Sequence, residues 1–169
     1  MKGITAMRKN ILNSLIFSGL LLGIQLPAYA AQGSVEVKSI AEMEVKTVKN
    51  GKTEIKRVPV KSAPPEAEII YTTTFKNIIN KPVGNIAISN PVPNDTAYKA
   101  GSAIGENTDI SYSVDGGKTF GIAETLKVKG KDGKDRPALP AEYTTIRWVY
   151  KGELGAGKSG EVSFRTVIK

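Results

Sequence analysis

The chain of 169 residues contains no cysteine and no histidine. Without cysteine, no disulfide can cross-link the fold, so its stability must come from a hydrophobic core. The two absences also exclude cysteine and histidine nucleophiles, histidine acid–base catalysis and the Cys/His sites that bind zinc or copper. Carboxylates, serine, lysine and tyrosine remain as catalytic groups, and the sequence predicts neither a cofactor nor a metal site.

The first thirty residues have the pattern of an export signal. A basic start, Lys2 to Lys9, precedes an apolar run, Ile11 to Leu26. Small residues at Ala28 and Ala30 predict cleavage before Ala31. Because the apolar run is shorter than the roughly 20 residues of a membrane span, we expect a cleaved leader and no transmembrane segment in the mature chain.

Residues 31–169 have the size of one domain and a moderately basic composition. Three of the 24 basic residues and none of the 16 acidic residues lie in the leader, so the mature chain carries a formal charge of +5. Its lysines are scattered along the chain, as on a solvated surface. We expect no nucleic-acid partner, because no aromatic stacking motif accompanies the charge. A surface polysaccharide, or other copies of the chain itself, stay open as partners.

Apolar residues recur at every second position through most of the mature chain, which predicts β-strands. Residues 68–77, 144–150 and 161–168 show the alternation clearly, and Asn50-Gly51 and Asp115-Gly116-Gly117 are typical of hairpin turns. About eight short strands separated by such turns predict an all-β, antiparallel β-sandwich. Its expected core residues are Tyr71, Phe75, Ile86, Ile88, Tyr112, Ile146, Trp148, Val162 and Phe164.

Residues 152–159 read Gly-Glu-Leu-Gly-Ala-Gly-Lys-Ser and satisfy the phosphate-loop pattern G-x-x-x-x-G-K-[ST]. A phosphate loop must be followed by a helix, whose N-terminus faces the phosphates. Here the alternating segment 161–168 follows instead. We therefore interpret residues 152–159 as the connection between two strands and expect no nucleotide site.

One stretch has the spacing S-x-D-x-G-x-T-[WF], formed by Ser113, Asp115, Gly117, Thr119 and Phe120. It resembles the Asp-box, a hairpin turn of sialidases and other propellers. The carboxylate and the two hydroxyls can bond backbone N–H groups of the turn, while the glycine takes a conformation that other residues resist. We interpret this single copy as a structural turn and not as a catalytic site.

Five features of residues 65–169 form one set: the opening residues 65–77, the short strand and turn at 86–93, Trp148, the turn at 154–157 and the segment 162–164. Together they resemble the conserved repeat called domain of unknown function 11. The family is implied to be an immunoglobulin-like sandwich of exported and cell-surface proteins. The export signal predicts a leader at residues 1–30, the strand character around Asn50-Gly51 predicts an N-terminal β-hairpin extension at 31–64, and the resemblance implies an immunoglobulin-like domain at 65–169.

Three functions are open to such a chain. The leading expectation is a non-catalytic exported protein with a structural or binding role in the periplasm or at the cell surface. The second is a self-assembling surface or fibre subunit, since residues 31–62 have strand character and could add to a neighbour's sheet, although Asn50-Gly51 favours pairing within the domain. The third, a small polysaccharide-active hydrolase, needs two carboxylates at a defined separation. Nothing singles out a pair among the candidates Glu106, Asp109, Glu124 and Glu142.

Overall fold

The computed structural model describes residues 33–49 and 51–169 of the chain. The predicted leader and its cleavage residues, Ala28, Ala30 and Ala31, lie outside this part, and so does Asn50 of the first predicted turn. Within the described ranges, no helix is long and apolar enough to cross a membrane. The described residues belong to one compact unit.

Strands account for 56% of the structure and helices for almost none of it, which confirms the all-β prediction. In chain order the strands are β1 (Val35–Lys49), β2 (Lys52–Pro59), β3 (Glu68–Asn77), β4 (Val83–Gly84), β5 (Ala87–Pro91), β6 (Thr96–Tyr98), β7 (Ile104–Gly105), β8 (Thr108–Ser113), β9 (Lys127–Lys129), β10 (Asp135–Pro137), β11 (Thr145–Tyr150), β12 (Glu153–Leu154) and β13 (Ser159–Ile168). Two short 3₁₀ turns cover Ala123–Thr125 and Pro140–Glu142.

Two main antiparallel sheets organise these strands. The large sheet has the order β2-β1-β3-β13-β6, and β7 also pairs with β13. The small sheet has the order β5-β11-β8. Two further ribbons pair β9 with β10 and β4 with β12.

The third strand shows how directly the sequence pattern dictates the large sheet. β3 covers the same residues, 68–77, that the alternation predicts. It pairs with β1 on one edge and with β13 on the other. Ile69 and Ile70 point to opposite faces and are both buried, so this strand lies in the interior of the sheet.

Side chains from both main sheets meet in one hydrophobic core. Trp148 of the small sheet is completely buried, and its ring centroid lies 6.1 Å from that of Phe164 in the large sheet. Seven of the nine expected core residues are buried, while Tyr71 and Tyr112 are half-buried and pack against the core. The core also takes side chains that the alternation did not single out, namely Val92, Tyr98, Leu126, Ala138, Tyr143 and Leu154.

One contact between neighbouring strands depends on a missing side chain. Gly160 of β13 lies opposite Phe75 of β3 in the ladder. A Cβ atom at Gly160 would collide with the Phe75 ring. The glycine therefore lets the aromatic ring lie directly over the backbone of the adjacent strand.

Residues 152–159 connect β11 to β13 and do not form a phosphate loop. Gly152 and Gly157 have positive φ angles of 80° and 69°, which glycine adopts readily. The short strand β12 lies between them, and Ser159 is the first residue of β13. A strand follows the glycine-rich segment, so no helix N-terminus faces it, and the predicted strand connection is confirmed.

β1 and β2 form a long hairpin, which we call the hairpin arm. The N-terminal half of β1 pairs with β3, from Val35–Asn77 to Glu42–Ile70, and its C-terminal half pairs with β2. In this structure the segment is therefore paired within its own chain. None of the residues of β1 or β2, all of which are described, is buried. We call the remaining strands, β3 to β13, the body of the protein. Backbone hydrogen bonds are thus the main attachment of the hairpin arm to the body.

An ion network on the outer face of the large sheet adds to this attachment. Arg165 of β13 donates to Glu44 of β1 at 3.0 Å and to Glu68 of β3 at 3.4 Å. Arg57 of β2 lies 3.6 Å from Glu44, and Lys99 pairs with Glu68. The hydrogen bond from Arg165 lowers the pKa of Glu44, and the one from Lys99 lowers the pKa of Glu68. Exposed pairs of this kind stabilise a fold only modestly.

Candidate functional site

The predicted Asp-box turn is closed by its own side chains. The buried Ser113 hydroxyl accepts the Gly117 N–H at 2.9 Å and donates to Asp115 Oδ1 at 2.7 Å. Asp115 also accepts the N–H groups of Lys118 and Thr119, each at 3.0 Å, and the Thr119 hydroxyl at 2.6 Å. These bonds, the one from Ser113 first, hold the pKa of Asp115 far below its ordinary value. Gly117 has a φ of 84°, which suits glycine at this position.

Phe120 attaches this turn to the outer face of the small sheet. The Arg147 guanidinium carbon of β11 lies 3.5 Å from the centre of the Phe120 ring, a cation–π contact. Arg147 Nε in turn donates to Ser89 Oγ of β5 at 3.1 Å. The Thr144 hydroxyl adds another link, since it accepts the Gly116 N–H at 2.9 Å. The carboxylate and hydroxyls of the turn are thus engaged within the chain, as in a structural turn.

The four candidate carboxylates have separate surroundings. Asp109 is exposed and pairs with Lys151 at 2.6 Å. Glu142 accepts hydrogen bonds from Arg136, one of them at 2.8 Å, which lower the pKa of Glu142 to about 2. Glu124 lies in the 3₁₀ turn Ala123–Thr125, and Glu106 directly follows β7. In the part of the chain that the structure describes, no group of three or more acidic side chains could hold a metal ion.

The backbone groups of β1 alternate between two sides. The Ile78 N–H donates to the Ser34 carbonyl at 3.0 Å, so even-numbered residues of β1 direct their N–H and C=O groups towards β3. The Val60 N–H donates to the Ala41 carbonyl at 3.0 Å, so odd-numbered residues direct theirs towards the opposite side. β2 lies on that opposite side.

β2 covers only the C-terminal half of that side, because its ladder with β1 begins at Glu42. The backbone groups of Val35, Val37 and Ser39 therefore face outward, and no described strand pairs with them. We call residues 35–39 the open edge. Val37 lies beside the buried Phe75 on the face of the sheet that carries the core, yet 51% of Val37 is exposed.

The edge strand of the small sheet, β5, offers fewer backbone groups to a partner. The Val92 N–H donates to the Thr144 carbonyl at 2.9 Å, so even-numbered residues here face β11 and odd-numbered ones face outward. The last outward position of β5 is Pro91, and Pro93 follows two residues beyond the strand; neither has an N–H group. Proline at such positions leaves the ladder intact and hinders the addition of another strand.

A cleft of about 230 Å³ lies between the large sheet, at the open edge, and β5. Its lining residues are Ser39, Tyr71, Thr73, Asn90, Pro91, Pro93 and Phe164. The rings of Tyr71 and Phe164 stack with centroids 5.0 Å apart and an interplanar angle of 17°. Burial raises the pKa of Tyr71, so its phenol is neutral at physiological pH. The walls of the cleft are mainly aromatic rings and proline rings.

Three polar side chains cross the cleft in one hydrogen-bonded row. Asn90 Nδ2 of β5 donates to Thr73 Oγ1 of β3 at 2.7 Å, and the Ser39 hydroxyl of β1 lies 2.7 Å from the same oxygen. Thr73 has no exposed surface. The two bonds use the Thr73 hydroxyl, while the Asn90 amide and the Ser39 hydroxyl have hydrogen-bonding capacity beyond them. The cleft therefore combines apolar walls with a small number of polar groups on the Ser39 and Asn90 sides.

No protein-family model, curated protein or solved structure matches the chain. The similarity to domain of unknown function 11 therefore stays a prediction that rests on the residues quoted for it. The site has to be understood from its geometry.

The amino-acid sequence contains only a weak signal for the cleft. The three residues of the polar row lie 34 and 17 positions apart, so only the fold brings them together. Thr73 lies in phase with Tyr71 and Phe75, and a buried polar residue at such a position needs a hydrogen-bonding partner. That requirement indicates a contact, but the sequence does not name the partner.

Proposed function

We propose that the chain is an exported, non-catalytic binding protein built as an immunoglobulin-like β-sandwich. We also propose that its cleft receives one apolar side chain from an extended polypeptide. The observation that carries the proposal is the juxtaposition of an apolar cleft with the open edge. The export part rests on the basic start, the apolar run and the small residues before Ala31.

The sandwich interpretation draws support from the packing of the two main sheets. Both sheets are antiparallel and contribute side chains to a single core, with Trp148 against Phe164 near its middle. Such an arrangement is expected when two sheets pack face to face. The closing strands β11 and β13 also contain Trp148 and Val162-Ser163-Phe164, on which the family resemblance partly rests.

The size and chemistry of the cleft favour a single apolar group. A cavity of about 150 Å³ accepts a benzene molecule, so about 230 Å³ has room for one aromatic or large aliphatic side chain. Small-molecule sites are usually larger, roughly 300–1,000 Å³. The walls of the cleft are mainly aromatic and proline rings, which suits an apolar group.

The surroundings of the cleft favour a polypeptide as the source of that group. The open edge beside it presents the N–H and C=O groups of Val35, Val37 and Ser39. An extended segment that pairs with such an edge obtains affinity from backbone hydrogen bonds and specificity from side-chain pockets. The cleft is placed to serve as such a pocket.

A titration with N-acetyl-tryptophanamide, followed by NMR, tests the cleft. We expect the largest shift changes at Tyr71, Asn90 and Phe164. The variant Ser39→Tyr fills the cleft and should weaken binding about tenfold or more, which is 1.4 kcal/mol or more. The control Thr74→Tyr places the same ring on the exposed opposite face of the sheet and should leave binding unchanged. Shift changes scattered over the surface, or equal binding to Ser39→Tyr, would contradict the proposal.

Sequencing of the exported product tests the compartment. The mature chain should begin Ala-Gln-Gly-Ser, because cleavage is expected between Ala30 and Ala31. Recovery of the uncleaved chain in the membrane fraction would contradict export with cleavage.

A further inference from the structure

The open edge has a length, a charge pattern and a backbone phase that fit a copy of itself. Its sequence is Val-Glu-Val-Lys-Ser, with Val35, Val37 and Ser39 directing their backbone groups outward. Glu36 and Lys38 alternate with them and lie on the outer face of the sheet, where they form an ion pair at 3.1 Å. An unpaired edge of this kind is a template for another strand.

We propose that the open edge binds the open edge of a second copy of the chain, antiparallel and centred on Val37. This proposal names the partner of the open side and so rests on the proposed function. The two large sheets then form one continuous sheet across a two-fold axis. Such a contact uses the same surface on both copies, as closed dimers do.

The backbone phase permits this pairing. With Val37 opposite Val37 of the second copy, Val35 lies opposite the partner's Ser39, and Ser39 opposite the partner's Val35. All of these residues direct their N–H and C=O groups outward, so each opposed pair can exchange both hydrogen bonds. The ladder with β3 is untouched, because that ladder uses the even-numbered residues.

The charges select one register among the neighbouring ones. In the register centred on Val37, Glu36 lies opposite Lys38 of the second copy, and Lys38 opposite its Glu36. A shift of the centre to residue 36 would place two glutamates opposite each other, and a shift to residue 38 would place two lysines opposite each other. Opposite charges across an antiparallel pair are stabilising and like charges destabilising.

The apolar side chains of the open edge favour the same register. Val37 is 51% exposed although it lies on the core side of the large sheet. In the dimer it packs against Val37 of the second copy, which removes apolar surface from water. Val35 of the second copy comes to lie beside Ser39, at the margin of the cleft, where the proposed function places an apolar side chain.

Proline makes the edge of β5 less suited to strand addition than the open edge. The outward position Pro91 of β5, and Pro93 two residues beyond the strand, cannot donate hydrogen bonds. The open edge contains no proline. Beyond the C-terminal end of the open edge, the Val60 N–H already donates to the Ala41 carbonyl. A strand of a second copy can therefore pair only with residues 35–39.

Charge-swap variants test the register by sedimentation velocity across about a hundredfold range of concentration. The wild-type chain should form a dimer. Lys38→Glu and Glu36→Lys should each weaken self-association by about tenfold or more, because each converts two favourable cross-strand pairs into repulsive ones. Both positions are exposed, so the fold should persist in each variant, which circular dichroism verifies.

Two further samples complete the design. An equimolar mixture of Lys38→Glu and Glu36→Lys should form a heterodimer, because every opposed pair is then of opposite charge. The double variant E36K/K38E should associate as the wild-type chain does. A wild-type monomer at all concentrations, or dimers insensitive to the single reversals, would overturn the proposal, as would failure of the mixture to associate.

The outcome can be separated from that of the proposed function. N-acetyl-tryptophanamide is titrated into Lys38→Glu, whose cleft residues are unchanged. Binding at the cleft together with a wild-type monomer would overturn the dimer alone and leave the proposed function standing. A wild-type dimer that responds to the charge reversals, without probe binding, would support the dimer and contradict the cleft as a pocket.

Discussion

β1 and β3 are neighbours in one sheet, yet their environments differ sharply. They share a ladder from Val35–Asn77 to Glu42–Ile70, and both contain many β-branched residues. β3 has residues such as Ile69 and Phe75 almost fully buried, whereas no residue of β1 is buried. The difference shows that position in the sheet, and not strand propensity, decides how a strand is held.

The two strands are stabilised by different forces. Each large apolar side chain of β3 contributes on the order of 1.5–3 kcal/mol when fully buried. The hairpin arm is held by its backbone ladder and by surface ion pairs such as Glu44–Arg165, which solvent screens and which therefore contribute little. We therefore expect the body to define global stability, and the hairpin arm to open locally at lower cost.

The largest expected effect comes from the body. Trp148→Ala should lower the free energy of unfolding by about 3–5 kcal/mol, because the indole is completely buried between the sheets. Urea unfolding followed by far-ultraviolet circular dichroism measures it without the tryptophan signal. The adjacent, exposed Val149→Ala is the matched control and should change stability by less than about 0.5 kcal/mol. Equal effects of the two substitutions would show that Trp148 is not a core residue.

An intermediate effect, dependent on pH, is expected at the Asp-box turn. The pKa of Asp115 is lowered from its ordinary 3.8 in the folded state, so its ionised form stabilises the fold above that value. This contribution is lost as the pH falls below 3.8 towards the folded pKa. Between about pH 7 and about pH 3, the free energy of unfolding measured with urea should therefore fall more for the wild-type chain than for Asp115→Asn. Identical pH dependence of the two proteins would refute the turn as a source of stability.

The smallest effect is expected in the hairpin arm. Ile55→Thr should change the free energy of unfolding by less than about 0.5 kcal/mol, because Ile55 is 61% exposed. The same substitution at Ile146, which has no exposed surface, is the control and should cost several times more. A loss at Ile55 comparable with that at Ile146 would mean that the hairpin arm packs into a core of its own.

The sequence anticipated the regular parts of the fold more readily than the site. The alternation located β3 residue for residue and placed Trp148 and Phe164 in the core. It could not find β6 and β7, which are too short to show a period, nor the burial of Tyr98 within β6. Alternation reports which residues share a face, and it does not report what covers that face.

The open edge illustrates this limit. The pattern correctly placed Val35 and Val37 in an extended segment, but it could not show that β2 pairs only from Glu42 onward. Nor could it show that the cleft combines Ser39, Thr73 and Asn90, because these residues lie on three different strands. The pairing of distant strands creates both features, so they emerge only in the folded chain.

Hydrogen exchange of individual β1 amides, at a concentration low enough to keep the chain monomeric, tests the open edge most directly. The amides of Glu36, Lys38 and Ile40 face β3 and should be protected, whereas those of Val37 and Ser39 should exchange rapidly. At high concentration, protection should appear at Val37 and Ser39 as well. Equal protection of all five amides in the monomer, or rapid exchange of all five, would contradict an open edge carried by a paired β1 strand.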